Sequence, residues 1–126
     1  MAIREPLIRV IAMPADTNPS GDIFGGWLLS QMDLAAGNLA HRLAKGRCVT
    51  VAVDAMAFLA PVHVGDEVSV YADLLSMGRT SMKITVEAER RTRYQTDTAR
   101  VTTAVFTFVA IDEDRKPRPI QQGDQG

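Results

Sequence analysis

Residues 24–44, FGGWLLSQMDLAAGNLAHRLA, decide the fold of this 126-residue chain. The run predicts a helix that begins between Phe24 and Trp27 and ends near Ala44, with Gly46 as its stop. Its side chains are apolar nearly all round until the last turns. A helix of that kind is buried rather than laid on a surface, so the rest of the chain is expected to cover it.

The remaining sequence reads as strands bounded by Pro and Gly turns. A short β-type run precedes the helix at 7–13, and four longer runs follow it at 48–60, 67–77, 81–91 and 97–111. Short turns between long strands favour antiparallel neighbours. These elements predict an α+β domain in which an antiparallel sheet wraps around one long central helix. The long strands leave edges to protect, and edge-to-edge pairing in a twofold dimer would protect them.

Composition limits the classes of protein and partner. The formal net charge of −1 makes nucleic acid a poor partner, and no apolar run approaches the length of a membrane span or resembles a signal peptide. A single cysteine, Cys48, excludes an intramolecular disulfide and is compatible with a reducing compartment. We therefore expect a cytoplasmic protein with one domain, 1–111, followed by a frayed polar C-terminal tail, 112–126.

Asp33 is the first candidate functional residue. It is the only charged side chain between Gly26 and Asn38, and burying a lone carboxylate is costly unless it is paired or used. Three of its four neighbours at helical spacing are small, which leaves room for a substrate. The alternative is a structural aspartate that is hydrogen-bonded to a neighbouring strand or subunit, and the residues alone leave both interpretations open.

Gly25 and Gly26 form the second candidate. Unpaired amides at a helix N-terminus, with no Cβ to shield them, suit a developing oxyanion. A tight turn that needs glycine for its dihedral angles explains the pair equally simply. The two glycines precede Asp33 by about two helical turns, roughly 10 Å along the axis.

Other polar residues have weaker signals. Asn18 reads as a turn residue, and the group formed by Arg79, Thr80 and Ser81 reads either as a phosphate site or as a solvated face. Asp54 is interpreted as a second buried carboxylate with a structural role, either in the core or at an interface. His41 and His63 lack partners at metal-ligand spacing, so no metal site is expected.

The ordered motif before and inside the helix resembles a known family. It reads Met13-Pro14-x-Asp16-Thr17-Asn18-x-x-Gly21-x-x-x-Gly25-Gly26 and is followed by Asp33. This pattern is similar to that of the hot-dog-fold acyl-CoA thioesterases, of the YciA-like type. The likeness continues through 51–61, 64–66, 78–81 and 104–110, and so covers roughly 7–111.

The resemblance implies hydrolysis of the acyl-CoA thioester in homodimers that share a continuous sheet and assemble as hexamers, trimers of dimers. It implies that Asp33 of one subunit is the catalytic carboxylate, that Asn18 of the other lies opposite it, and that the Gly25 and Gly26 amides receive the thioester oxygen. No cofactor is implied beyond the CoA of the substrate. The rival interpretation is a non-catalytic hot-dog protein that binds acyl-CoA as a regulator.

The remaining expectations concern substrate contacts. Arg79, Thr80 and Ser81 are expected to contact the CoA part of the substrate. An apolar acyl pocket is expected from Met32, Val53, Met56 and Phe58.

Overall fold

Five antiparallel strands pack against one long helix. A computed structural model describes residues 4–120 of the chain. The elements are β1 (Ile8–Ile11), α1 (Gly25–Ala44), β2 (Cys48–Phe58), β3 (Glu67–Met77), β4 (Ser81–Arg91) and β5 (Thr98–Ala110), with a short 3₁₀ turn at Pro14–Asp16. The predicted bounds of β3, β4 and the helix end are confirmed, and the predicted α+β class is confirmed with them.

The strands form one sheet in the order β1-β3-β4-β5-β2, and every neighbouring pair is antiparallel. β5 lies inside the sheet, as predicted from its apolar residues on both faces. β2 is an edge strand over its whole length. The sheet therefore presents one long open edge beside the helix.

The core lies between α1 and the inner face of the sheet. Alternate residues of β4 point at the helix and are fully buried, namely Met82, Ile84, Val86 and Ala88. The helix meets them with small side chains such as Ala35, Ala36 and Ala40, each with no exposed surface. Small residues let the helix approach the sheet closely. The position of the helix is therefore set by the inward side chains of β4 and by the alanines of α1 that pack on them.

The prediction that the helix is buried nearly all round is wrong for the single chain. Leu34 is 62% exposed, and Ser30, Asn38 and His41 are exposed on the same side of the helix. One five-stranded sheet covers only one side of a helix. The opposite stripe stays open in one chain.

The C-terminal segment also differs from the expectation. Ile120 is buried in the core cluster, and residues 112–120 return along the end of β5, so they are not frayed. The buried Ile120 and the hydrogen bonds from Arg118 to three backbone carbonyls anchor it. The division of the chain after 111 into a domain and a tail stays a prediction, and 121–126 lie outside the described residues.

Candidate active site

Asp33 lies halfway along α1 and is half-buried. Its Oδ1 accepts a hydrogen bond of 2.6 Å from the hydroxyl of Thr50 on β2. The carboxylate is therefore neither fully buried nor alone. It has the hydrogen bond to a neighbouring strand that a structural aspartate would also make. One oxygen is held by this bond, while Asp33 still lines two open cavities.

Thr50 is the residue that sequence reasoning missed. It occupies an inward position of β2 between the apolar residues Cys48 and Val53, and it pairs with the buried Phe108 of β5. The only sign in the sequence was a hydroxyl side chain at a position of β2 where apolar side chains are expected. Its role can be recognised only when the packing of β2 against α1 is known.

Two irregularities in β2 determine which of its side chains face the helix. Register shifts occur between Thr50 and Ala52 and between Asp54 and Ala57. Each extra residue reverses the alternation, so Thr50, Val53 and Phe58 all pair with buried residues of β5. The second shift includes Ala55 in the left-handed region, with φ of 53°. Asp54 is exposed on this edge strand, so its predicted burial is wrong within the single chain, and its place at an interface stays a prediction.

The N-terminus of α1 has free amides. Its N-cap is Phe24, whose side chain makes no capping hydrogen bond and whose carbonyl accepts from Trp27 and Leu28. Within residues 4–120, neither Gly25 nor Gly26 has a hydrogen-bond acceptor for its amide. Neither glycine has a positive φ, so the dihedral explanation for the pair is wrong. A Cβ on Gly25 would lie 3.6 Å from the ring of Phe58, which shows how closely the strand passes.

Two separate cavities lie near this end of the helix. One, of about 280 Å³, is lined by Gly26, Leu29, Ser30, Asp33, Thr50, Val53 and Phe106. The other, of about 330 Å³, is lined mainly by apolar side chains and includes Gly25, Leu28 and Phe58. The structure therefore brings Gly26, Asp33 and Thr50 to one cavity and leaves Gly25 in its neighbour.

A third and larger groove runs from Asp33 towards the C-terminal end of α1. It measures about 560 Å³ and includes Asn38, His41, Arg42 and Cys48. Burial raises the pKa of the Cys48 thiol, and the nearby positive charge of Arg118 opposes that rise. His41 lies two turns beyond Asp33, and its Nδ1 is 2.7 Å from the carbonyl of Gly37.

Asn18 lies in the turn before the helix, away from Asp33 of the same chain. Its Oδ1 accepts from the amides of Ser20 and Asp22, at 2.9 and 3.1 Å. It lines none of the three cavities above. The turn interpretation of this residue is confirmed, and its side-chain NH₂ makes no hydrogen bond within the part of the chain that the structure describes.

Arg79, Thr80 and Ser81 lie at the opposite end of the sheet from Gly25. Arg79 is exposed in the turn between β3 and β4, and Ser81 pairs with Val109 near the end of β5. In one chain these residues are not brought together with Asp33.

The expected acyl-pocket residues divide among different positions. Val53 lines the cavity of Asp33, whereas Phe58 lines the cavity of Gly25. Met56 is half-buried against the core. Met32 has no exposed surface and belongs to the core, so its predicted place in a pocket is wrong.

Residues 4–120 have no feature of a metal site or of a membrane-spanning helix. No group of three or more His, Cys, Asp or Glu side chains is arranged to hold a metal ion there. The same residues contain no helix long and apolar enough to cross a membrane.

Similarity to known proteins agrees with this architecture. Residues 20–96 match the Thioesterase superfamily, so the chain belongs to that family and is a thioesterase of the hot-dog fold.

Within the family, its relatives are of the YciA type. It is 48% identical to the acyl-CoA thioester hydrolase YciA of Salmonella typhimurium, over 92% of this chain and 90% of the relative. It is 59% identical to an uncharacterized acyl-CoA thioester hydrolase of Zymomonas mobilis, over 90% of this chain and 76% of the relative. A hexameric broad specificity acyl-coenzyme A thioesterase, crystallised as an Asp-to-Ala variant, superposes with a TM-score of 0.91 at 45% identity, covering 97% of this chain and 90% of that one.

Proposed function

We propose that the protein hydrolyses the thioester of acyl-CoA to a free carboxylic acid and CoA, with Asp33 as the catalytic carboxylate. The observation that carries the proposal is the Asp33 carboxylate itself. It is held through one oxygen by Thr50 and opens on a largely apolar cavity. A fixed carboxylate beside an apolar wall supports an acyl transfer to water, for which the amide donor comes from a helix N-terminus.

Asp33 acts in one of two ways. As a general base it takes a proton from water while the oxygen adds to the carbonyl carbon. As a nucleophile it forms a mixed anhydride that water then opens. In both routes the C–S bond breaks, the sulfur leaves as CoA and takes up a proton, and the acyl group leaves as the acid. The helix N-terminal amides stabilise the negative oxygen, an effect worth about 3 kcal/mol per donor.

The active site is shared between two subunits in this proposal. Along one helix the Gly26 amide and Asp33 are about 10 Å apart, which a carbonyl and its attacking water span only when fully extended. Asn18 of the same chain lines no cavity with Asp33. A twofold partner that pairs along β2 and covers the open stripe of α1 would bring its own Gly25 and Asn18 to Asp33.

The side chain of Asn18 is suited to donating a hydrogen bond in such a site. Two backbone amides occupy its oxygen, so only its NH₂ remains for a substrate oxygen or the partner's carboxylate. Three such homodimers would form a hexamer, the state described for the structural relative above.

The substrate contacts divide between the acyl group and the CoA portion. Val53, Met56 and Phe58 contact the acyl group, and Arg79, Thr80 and Ser81 contact the CoA portion. The reaction needs no metal or cofactor. We place the protein in the cytoplasm, because its single thiol, Cys48, suits a reducing compartment.

The alternative is a non-catalytic regulator that binds acyl-CoA. Dehydration is a poorer alternative, because His41 lies eight residues, about 12 Å, from Asp33 along α1. A thiol-release assay over acyl-CoAs from acetyl to palmitoyl, with calorimetric titration of CoA, separates hydrolase from regulator. We expect turnover above about 1 s⁻¹ for at least one chain length. Tight CoA binding without any thiol release would establish the regulator instead.

A further inference from the structure

The chain continues after β5 into a segment that packs on the domain, which we name the C-terminal strap and define as residues 117–120. A tight turn precedes it, in which Oδ1 of Asp112 accepts from the amides of Asp114 and Lys116, both at 2.9 Å. Ile111 and Pro117 then form an antiparallel bridge. The strap therefore returns alongside the end of β5 in a defined register.

Arg118 attaches the strap to the end of the helix. Its guanidinium donates to the carbonyls of Ile111 at 3.0 Å and Ala44 at 3.1 Å, and more weakly to Arg47 at 3.4 Å. The guanidinium also fills the space beside Gly46, where a Cβ would lie 2.6 Å from it. One side chain thus joins the C-terminus of α1, the loop before β2 and the end of β5.

Ile120 attaches the other end of the strap to the turn between β3 and β4. Its side chain is only 6% exposed, and its amide donates to the carbonyl of Arg79 at 2.8 Å. The next carbonyl, that of Thr80, accepts from the amide of Ala110 at 2.9 Å. Two successive carbonyls of this turn therefore accept hydrogen bonds from the C-terminal part of the chain, one from the strap and one from the end of β5.

The turn held in this way presents an uncompensated cation. Four arginines are ion-paired, namely Arg4, Arg9, Arg91 and Arg100, and among the other arginines of residues 4–120 the strap contacts the backbone of two. The exposed side chains of Arg79 and Arg47 have no carboxylate partner within residues 4–120, and the strap contacts the backbone of both. Guanidinium groups on a fixed backbone are suited to phosphate groups.

We propose that the C-terminal strap positions the Arg79 turn to bind the phosphates of the CoA nucleotide. This inference rests on the proposed function, since it takes acyl-CoA as the substrate. Arg118 and Ile120 are positioning residues, and they act through the backbone of the turn rather than by touching the substrate.

The test compares two substrates that differ only in the nucleotide, an acyl-CoA and the matching acyl-pantetheine. We expect Ile120→Ala and Arg118→Ala to raise KM for acyl-CoA and the calorimetric Kd for CoA about five- to tenfold, with kcat within about twofold. Hydrolysis of acyl-pantetheine should stay unchanged. Ile120→Val should restore the wild-type values, because it keeps the buried contact and the amide.

Lys116→Ala is the matched control, since it removes an exposed charge from the same segment and keeps the backbone bonds to Asp112. An equal loss of CoA affinity in this variant would contradict the inference and indicate a diffuse positive field. An equal loss with both substrates would contradict it as well, because a purely structural strap acts on both. A wild-type protein that binds CoA but does not hydrolyse acyl-CoA would contradict the proposed function. The Kd values for CoA of the wild type and the strap variants would still decide the role of the strap.

Discussion

The hydroxyl of Thr50 on β2 donates a 2.6 Å hydrogen bond to Oδ1 of Asp33 on α1, across 17 residues of sequence. This bond joins the helix to the edge strand where two cavities meet the carboxylate. It restricts the rotation of the side chain that we propose as the catalytic carboxylate. The pair therefore links the fold to the proposed chemistry.

Removing this hydroxyl should slow catalysis without unfolding the protein. Thr50→Val keeps the shape of the side chain and loses the donor, and we expect kcat/KM to fall about tenfold because the carboxylate is no longer oriented. Thr50→Ser keeps the donor and should retain most of the activity. Steady-state thiol release and thermal melts of both variants are the measurements, and equal activities of the two would contradict the orienting role.

Two inactive variants should complement each other if the sites are shared. Asn18→Asp keeps the oxygen that holds its turn and removes the NH₂ donor, and Asp33→Asn removes the proposed catalytic charge. About half of randomly mixed dimers contain both variants, and each has one intact site, so co-expression should restore about a quarter of wild-type activity. Activity no higher than that of the separate variants would place each site within one chain.

A charge on the open edge of β2 should break the proposed dimer and the activity together. Val51 is 55% exposed on this strand, and Val51→Asp would bury an unpaired carboxylate in a strand-to-strand contact. Sedimentation should show smaller species with reduced thiol release. Tyr94, which is 87% exposed between β4 and β5, supplies the control Tyr94→Asp, and an equal effect there would argue against the β2 interface.

Cys48 should be unreactive in the folded protein. Burial raises the pKa of its thiol, so the folded state holds the proton more tightly than the unfolded state. The contribution of this thiol to the free energy of unfolding should therefore be fully present below the ordinary thiol pKa of about 8.5. It should decline as the pH rises above that value. Ellman's reagent should react slowly with the native protein and rapidly in urea. Unfolding midpoints measured over this alkaline range should fall less in Cys48→Ala, and identical slopes would contradict the assignment.

The regular parts of the fold were predictable because their patterns are local. The alternation in β3 and β4 predicted both strands to the residue, and the glycine after the helix marked its end within two residues. The candidate pair Gly26 and Asp33 was also recognisable, since a lone carboxylate in an apolar helix is a costly feature.

The features that were not predicted depend on contacts between distant segments. The left-handed Ala55 in the second irregularity of β2 has no sequence signal of the kind that glycine or asparagine provides, so the inward direction of Phe58 was not visible. The contact between Thr50 and Asp33 needs two elements to be docked first. The burial of Ile120 likewise depends on a turn that folds the polar tail back onto the sheet.

The most direct test of the central claim is thiol release by Asp33→Asn on the best acyl-CoA substrate. The asparagine oxygen still accepts the hydrogen bond from Thr50, so only the charge and its basicity are lost. We predict that kcat falls at least about a hundredfold, while CoA affinity, assembly and melting temperature stay at wild-type values. The control Asp97→Asn, at an exposed carboxylate in the turn before β5, should remain active. Near wild-type turnover by Asp33→Asn would contradict the assignment of Asp33 as the catalytic carboxylate.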